Sequence, residues 1–147
     1  MGEFVPLAPS FWVGQTKYAQ QMYESRFNGW RHCFASLFIA LESMSTAGET
    51  VLDVGSCGCH AKMMLSPKLQ YYGLDLTRAY LAVGREHAQA EVIQSDCRQL
   101  PFKDDSFDYI LCTQLLLHLD KDSVHRTMKE FERVARRAIF LGAQFSG

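Results

Sequence analysis

"VLDVGSCGCH", Val51 to His60, is the stretch on which the reading of this chain turns. Its first four residues read as the end of a short buried strand. Gly55 then opens a turn in which the backbone can come close to a ligand. A helix starting after such a turn offers free backbone N–H groups. Yet where a glycine-rich turn would continue, Cys57 and Cys59 flank a lone Gly58. Three readings follow: a cofactor turn, a metal or redox site, or a degenerate turn.

Downstream, the text alternates. "TVLDVG" predicts a strand, "HAKMMLS" a brief helix stopped by Pro67, and "YYGLDL" a second strand. Thr77 is placed to cap a helix over "RAYLAVGREHAQ". "EVIQSD" and "FDYILCT" predict a third strand and a fully buried fourth. Asp120 or Asp122 caps "SVHRTMKEFERVAR", in which Val124, Met128, Phe131 and Val134 share a face, and "RAIFLG" predicts a fifth strand. Upstream, "WRHCFASLFIALESM" spaces Trp30, Phe34, Leu37, Phe38, Leu41 and Met44 as one helix, ended by Ala47-Gly48. Before the Asn28-Gly29 break, "TKYAQQMYESRF" turns Tyr18, Met22 and Phe27 to one side. Pro6 and Pro9 make the first ten residues an extended arm. Strands alternating with helices specify an α/β domain, a doubly wound parallel sheet with right-handed crossovers. Ligands bind such sheets beyond the carboxyl ends of the strands.

Bulk properties narrow the choice. With 147 residues, nearly half of them apolar, one domain is expected. A net charge of -1 gives nucleic acid no electrostatic support. The five cysteines have no disulfide rhythm, and the start shows no secretory or myristoylation pattern, so a cytoplasmic setting is expected. No apolar run is long enough to span a bilayer, so no membrane partner is expected.

The residues at the strand ends are polar and small. Gly55, Ser56, Cys57, Gly58, Cys59 and His60 follow the first strand. Asp75 follows the second, at a spacing that suits a ribose hydroxyl acceptor. Asp96 and Cys97 follow the third; Thr113, Gln114 and, a turn later, His118 follow the fourth. Either aspartate alone is an ordinary helix cap; both, in step with the glycine turn, favour a ligand site. The first turn lacks the G-x-G-x-x-G spacing of a dinucleotide site. Cys57, Cys59, His60 and Cys97 make a poor zinc set, so no metal is expected. A helix N-terminus favours a reactive thiol at Cys57 or Cys59, although small buried side chains are the commoner case.

"VLDVGSCG", "YYGLDLTRAYL" and "SDCRQLPFKDDSFDYILCTQLLLHL" resemble, in order, motifs of class I S-adenosylmethionine-dependent methyltransferases of the small-molecule type. The resemblance covers about residues 50–142. It implies a Rossmann-like, mainly parallel five-stranded sheet of order 3-2-1-4-5, with helices on both faces and an N-terminal helical cap. Residues 1–47 would be the cap and 48–147 the cofactor-binding core of a single domain. It implies S-adenosylmethionine as cofactor. Asp53, Gly55, Ser56, Cys57 and Gly58 would form the turn beside its methionine part. Asp75 would bind the ribose and Leu76 line the adenine. Asp96, with Cys97 beside it, would accept from the adenine amino group. Thr113 and Gln114 would line the methionyl end, with His118 the candidate base. Tyr18, Tyr23, Trp30 or Arg31 would close the pocket or pack on the sheet.

Two departures stand out. Against the family's D-x-G-x-G-x-G, a gap-free reading puts Cys57 and Cys59 at the second and third glycines. A one-residue shift at Ser56 gives those roles to Gly58 and His60. A "DVGSC" turn with a short crossover also faintly resembles a subgroup of ribosomal-RNA methyltransferases and a methyltransferase-like nutrient sensor. In addition, family members continue into two further strands. A second copy or a partner subunit would cover the sheet edge here, unless the chain is a short form. The expected function is methyl transfer to a small-molecule acceptor; the alternative is a non-catalytic sensor of S-adenosylmethionine or S-adenosylhomocysteine, or a subunit of a larger assembly.

Overall fold

Seven consecutive buried residues, Phe107–Thr113, form an interior strand of the sheet. In the computed structural model, which describes residues 16–25 and 29–143, five strands are present: β1 (Thr50–Val54), β2 (Gln70–Asp75), β3 (Glu91–Gln94), β4 (Phe107–Thr113) and β5 (Ala135–Gly142). Their order is β3-β2-β1-β4-β5 and every neighbouring pair is parallel, as the sequence predicts. Helices α1 (Thr16–Glu24), α2 (Trp30–Cys33) and α3 (Ala35–Met44) precede the sheet; α4 (Arg78–Ala88) and α5 (Lys121–Val134) are crossovers. Among the described residues, no helix is long and apolar enough to cross a membrane. The extended arm expected at residues 1–10 and the side chain of Phe27 lie outside the described residues.

Side-chain alternation divides the core. Val51, Tyr71, Tyr109 and Leu111 pack with Phe34, Phe38, Leu41 and Ala88 on one face. Leu52, Val54, Leu74, Ile110 and Cys112 pack with Phe131 and Val134 on the other. Parallel register brings Val54 beside Leu74, Asp53 beside Leu111, and Asp75 beside Gln94. The strand ends that carry polar groups therefore share one edge. At the opposite end, Asp108 Oδ2 accepts from the Thr50 N–H (2.9 Å) and hydroxyl (3.1 Å), and Arg136 donates to Oδ1 (3.0 Å).

Three local features differ from the sequence reading. The helix expected across 30–44 breaks at Phe34 (φ -114°, ψ 9°). That break seats its ring against the end of β5, where a Cβ on Gly142 would come within 2.7 Å of it. "HAKMMLS" forms only one 3-10 turn, His60–Met63. On α5 the most deeply buried stripe is Ser123, Thr127, Phe131 and Val134, with Val124 and Met128 half-buried beside it. Asp120 is its N-cap, accepting from Ser123 N–H at 2.8 Å.

The short crossover after β1 is held by sulfur. Cys59 is fully buried, and a Cβ on Gly73 of β2 or Gly84 of α4 would lie 2.5 Å or 2.6 Å from its Sγ. These two glycines supply the space that a glycine at position 59 would otherwise provide. Gly84→Ala is expected to destabilise the chain by about 1–3 kcal/mol through overpacking. Adding Cys59→Gly should restore part of the loss, because glycine also accepts the left-handed backbone there. Denaturant titration of the two single variants and the double variant measures that coupling; strict additivity would contradict it.

Candidate functional site

The turn after β1 is left-handed at alternate residues: Gly55 (φ 74°), Cys57 (φ 50°) and Cys59 (φ 59°). These are the three glycine positions of the gap-free reading, so the cysteines adopt the backbone that glycine favours. Hydrogen bonds fix it. Gly55 and Ser56 N–H both donate to Leu74 O, at 2.8 Å and 3.0 Å. Cys57 N–H donates to Asp75 Oδ2 at 2.9 Å, and Thr77 N–H to Oδ1 at 2.8 Å. The two residues of the shifted reading part company: His60 lines the cleft and Gly58 does not. Gly58 is buried beneath the turn rather than on the cleft wall, and its carbonyl accepts from the Tyr23 hydroxyl at 2.5 Å. His60 is buried with Nε2 3.2 Å from Ala19 O, and burial lowers its pKa to about 4.

Above the turn lies a cleft of about 660 Å³. Asp53, Gly55, Ser56 and Cys57 wall it on one side, and Asp75 and Leu76 follow from β2. Asp96 and Cys97, then Thr113, Gln114 and His118, complete the expected set apart from Gly58. Tyr18 and Trp30 also reach it from the N-terminal helices, whereas Arg31 is exposed and does not. Leu115 packs over Gly55, where a Cβ would lie 2.9 Å from its own Cβ.

The carboxylates differ in character. Asp53 is 2% exposed, and its Oδ2 accepts from the Tyr71 hydroxyl while Oδ1 has no partner. Burial raises its pKa to about 7, against the lowering effect of Tyr71. Burial also raises Asp75, opposed by its N–H donors. Asp96 is the reverse: Arg98 donates from Nε (3.0 Å), Nη2 (2.7 Å) and its backbone N–H (2.9 Å), holding the carboxyl low. The expected adenine acceptor thus already carries a guanidinium. Burial lowers His118, leaving a neutral imidazole at pH 7.

Burial raises the thiols of Cys57, Cys97 and Cys59, the last to about 12. All five cysteines are free, and none of these three is a thiolate at neutral pH. Burial of the turn's thiols thus works against the reactive-thiol reading. Among the described residues, no group of three or more His, Cys, Asp or Glu is placed to hold a metal ion. Sequence reasoning missed Tyr80, Ser95, Arg98 and Asp120 on the cleft wall. Tyr80 carried a usable signal, an aromatic in the first turn of the helix after β2; Asp120 was legible only as a cap.

A family model described as a methyltransferase domain matches residues 52–140. The chain belongs to this methyltransferase domain family. An uncharacterised methyltransferase of Bacillus subtilis, YcgJ, is 32% identical over 98 residues, covering 62% of this chain and 38% of that protein. The crystal structure of YcgJ superposes with a TM-score of 0.62 at 30% identity, over 69% of this chain and 46% of that one. A ubiquinone biosynthesis O-methyltransferase of Acinetobacter baumannii is 36% identical over 81 residues, covering 50% of this chain and 34% of that protein. An S-adenosylmethionine-dependent methyltransferase of Aquifex aeolicus shares the fold at 20% identity, with a TM-score of 0.63 over 82% of this chain and 67% of that one. The chain spans about a third of the length of the curated relatives it matches.

The buried Asp53 of this methyltransferase domain gives a signed pH prediction. Its folded pKa of about 7 lies above the ordinary aspartate value, so the native state binds the proton more tightly than the unfolded chain. Relative to Asp53→Asn, wild-type stability should fall as pH rises from about 4 to about 7 and then level off. Denaturant titrations of both proteins across that range check it; a difference independent of pH would contradict it.

Proposed function

We propose that the cleft binds S-adenosylmethionine and that the chain is a methyltransferase, or the cofactor-binding core of one, acting on a small-molecule acceptor. The observation that carries this reading is the unpaired, buried Asp53 Oδ1 on the wall of the cleft, one strand away from Asp75. A buried oxygen without a partner costs stability unless a ligand donor satisfies it, and the ammonium of a methionine moiety is such a donor. The left-handed turn under Leu115 and the size of the cleft suit a nucleoside carrying an amino-acid tail. The residues present therefore fit the cofactor that the family resemblance implies.

On this reading Asp75 accepts from the ribose hydroxyls and Leu76 lies against the adenine. The Asp96–Arg98 pair meets the polar edge of the base. Thr113 and Gln114 border the reacting end. When bound, S-adenosylmethionine supplies a methyl group already activated by its sulfonium. The chain then has to orient the acceptor and exclude water, which is where most of the acceleration arises. An acceptor hydroxyl must also lose a proton, and neutral His118 is the group on the cleft wall suited to take it at a ring nitrogen. On this reading α1, α2 and α3 act as a cap over the cofactor-binding core that begins at β1. Five free thiols agree with a reducing, cytoplasmic setting.

Titration calorimetry with S-adenosylmethionine and S-adenosylhomocysteine tests the reading. Both should bind the full chain, and Asp75→Ala should weaken each by about tenfold or more. A thermal melt should show that the variant chain still folds, with a lower midpoint because the Cys57 and Thr77 N–H groups lose their acceptor. No binding by the wild type would overturn the cofactor assignment, and undiminished affinity in a folded variant would remove the ribose contact.

A further inference from the structure

Among the described residues, two buried side-chain polar atoms lack a hydrogen-bond partner: Asp53 Oδ1 and the Tyr80 hydroxyl. Both residues line the same cleft. The first is accounted for by a ligand ammonium. The second is not used by any contact described so far.

Tyr80 lies in the first turn of α4 and is 3% exposed. Its ring packs in a small cluster with Ala19 of α1 and Val83, against Cys57. Three other tyrosine hydroxyls in the core have protein acceptors: Tyr23 uses Gly58 O, Tyr71 uses Asp53, and Tyr109 uses Met44 O and Glu49. The fold thus pairs its buried phenols, and Tyr80 is the exception. Its surroundings select the missing partner. Burial, then the nearby Cys57 and Asp75, raise the phenol's pKa, so it is a neutral O–H donor at any working pH. Asp75 beside it is an acceptor, with one backbone N–H already on each oxygen. A carboxylate next to a phenol complements a vicinal diol: the diol hydroxyls donate to the carboxylate, and a diol oxygen accepts from the phenol.

We propose that the Tyr80 hydroxyl donates to a ribose hydroxyl oxygen of an adenosyl ligand held by Asp75, so that two side chains rather than one position the sugar. The inference rests on the cofactor reading of the cleft and extends it to a residue that the sequence motifs do not mark.

Tyr80→Phe removes the oxygen and nothing else. Wild-type and variant chains are titrated calorimetrically with S-adenosylhomocysteine and with 5′-methylthioadenosine, which keeps the ribose but lacks the amino-acid end. The variant should bind both ligands about three- to tenfold more weakly. Its ligand-free melting temperature should equal or exceed that of the wild type, since an unpaired buried hydroxyl has gone. Equal affinities would overturn the proposal. So would a loss seen with S-adenosylhomocysteine alone, which would put the contact at the amino-acid end, or a lower melting temperature, which would reveal a partner inside the fold. Failure of the wild type to bind either ligand would instead sink the cofactor reading itself.

Discussion

The Asp75 carboxylate takes the Cys57 N–H on one oxygen, which ties the end of β2 to the turn after β1, and the Thr77 N–H on the other, which fixes the carboxylate at the start of α4. That turn needs holding. It carries left-handed backbone at Gly55, Cys57 and Cys59, and only the first is a residue that adopts it freely. Each cysteine there costs about 1 kcal/mol or more. The compensation is local and dense: two N–H bonds to Leu74 O, one to Asp75, and a fully buried Cys59 thiol seated between Gly73 and Gly84. A single carboxylate thus serves the scaffold with its backbone bonds and faces the cleft as well.

The same economy leaves the cleft polar and incompletely satisfied. Asp53 is bonded on one oxygen and unpaired on the other; Tyr80 is buried and unpaired; the burial that raises Asp53 also keeps the neighbouring thiols protonated. Such sites are destabilising in the free protein and favour a ligand that completes them. The cysteines of the turn then act through shape rather than reactivity. Cys57 narrows the wall and Cys59 locks the crossover.

Much of this was legible in the sequence. The fully buried "FDYILCT" and the half-alternating "TVLDVG" and "YYGLDL" mark strands through burial alone, and parallel register then forces Asp53, Asp75 and Thr113 to one edge. What was not legible depends on tertiary contact. Nothing local marks Phe34 as a helix break; the end of β5 at Gly142 makes it one. Composition does not say which residue of "GSCGC" turns left-handed, because that follows from where Leu74 O and Asp75 stand. Arg98 closing on Asp96 is a two-residue event that an adenine-binding motif does not announce. Within "SDCRQLPFKDDSFDYILCTQLLLHL" the "LPFKDDSFD" segment, residues 100–108, is scaffold, while the residues on either side of it reach the cleft. Arg133 grips the Leu100 and Phe102 carbonyls at 3.1 Å and 2.7 Å, and Asp108 ties the far ends of β1, β4 and β5.

The central claim is that one cleft, floored by the turn after β1, receives an adenosyl ligand with its sugar at Asp75 and its amino group at Asp53. A crystal structure of the full chain with S-adenosylhomocysteine tests this most directly. The account predicts ligand density over Gly55–Cys57, with the ribose hydroxyls on Asp75 and the ammonium on Asp53 Oδ1. Density elsewhere on the molecule, or in this cleft with Asp53 Oδ1 still unpaired, would contradict it.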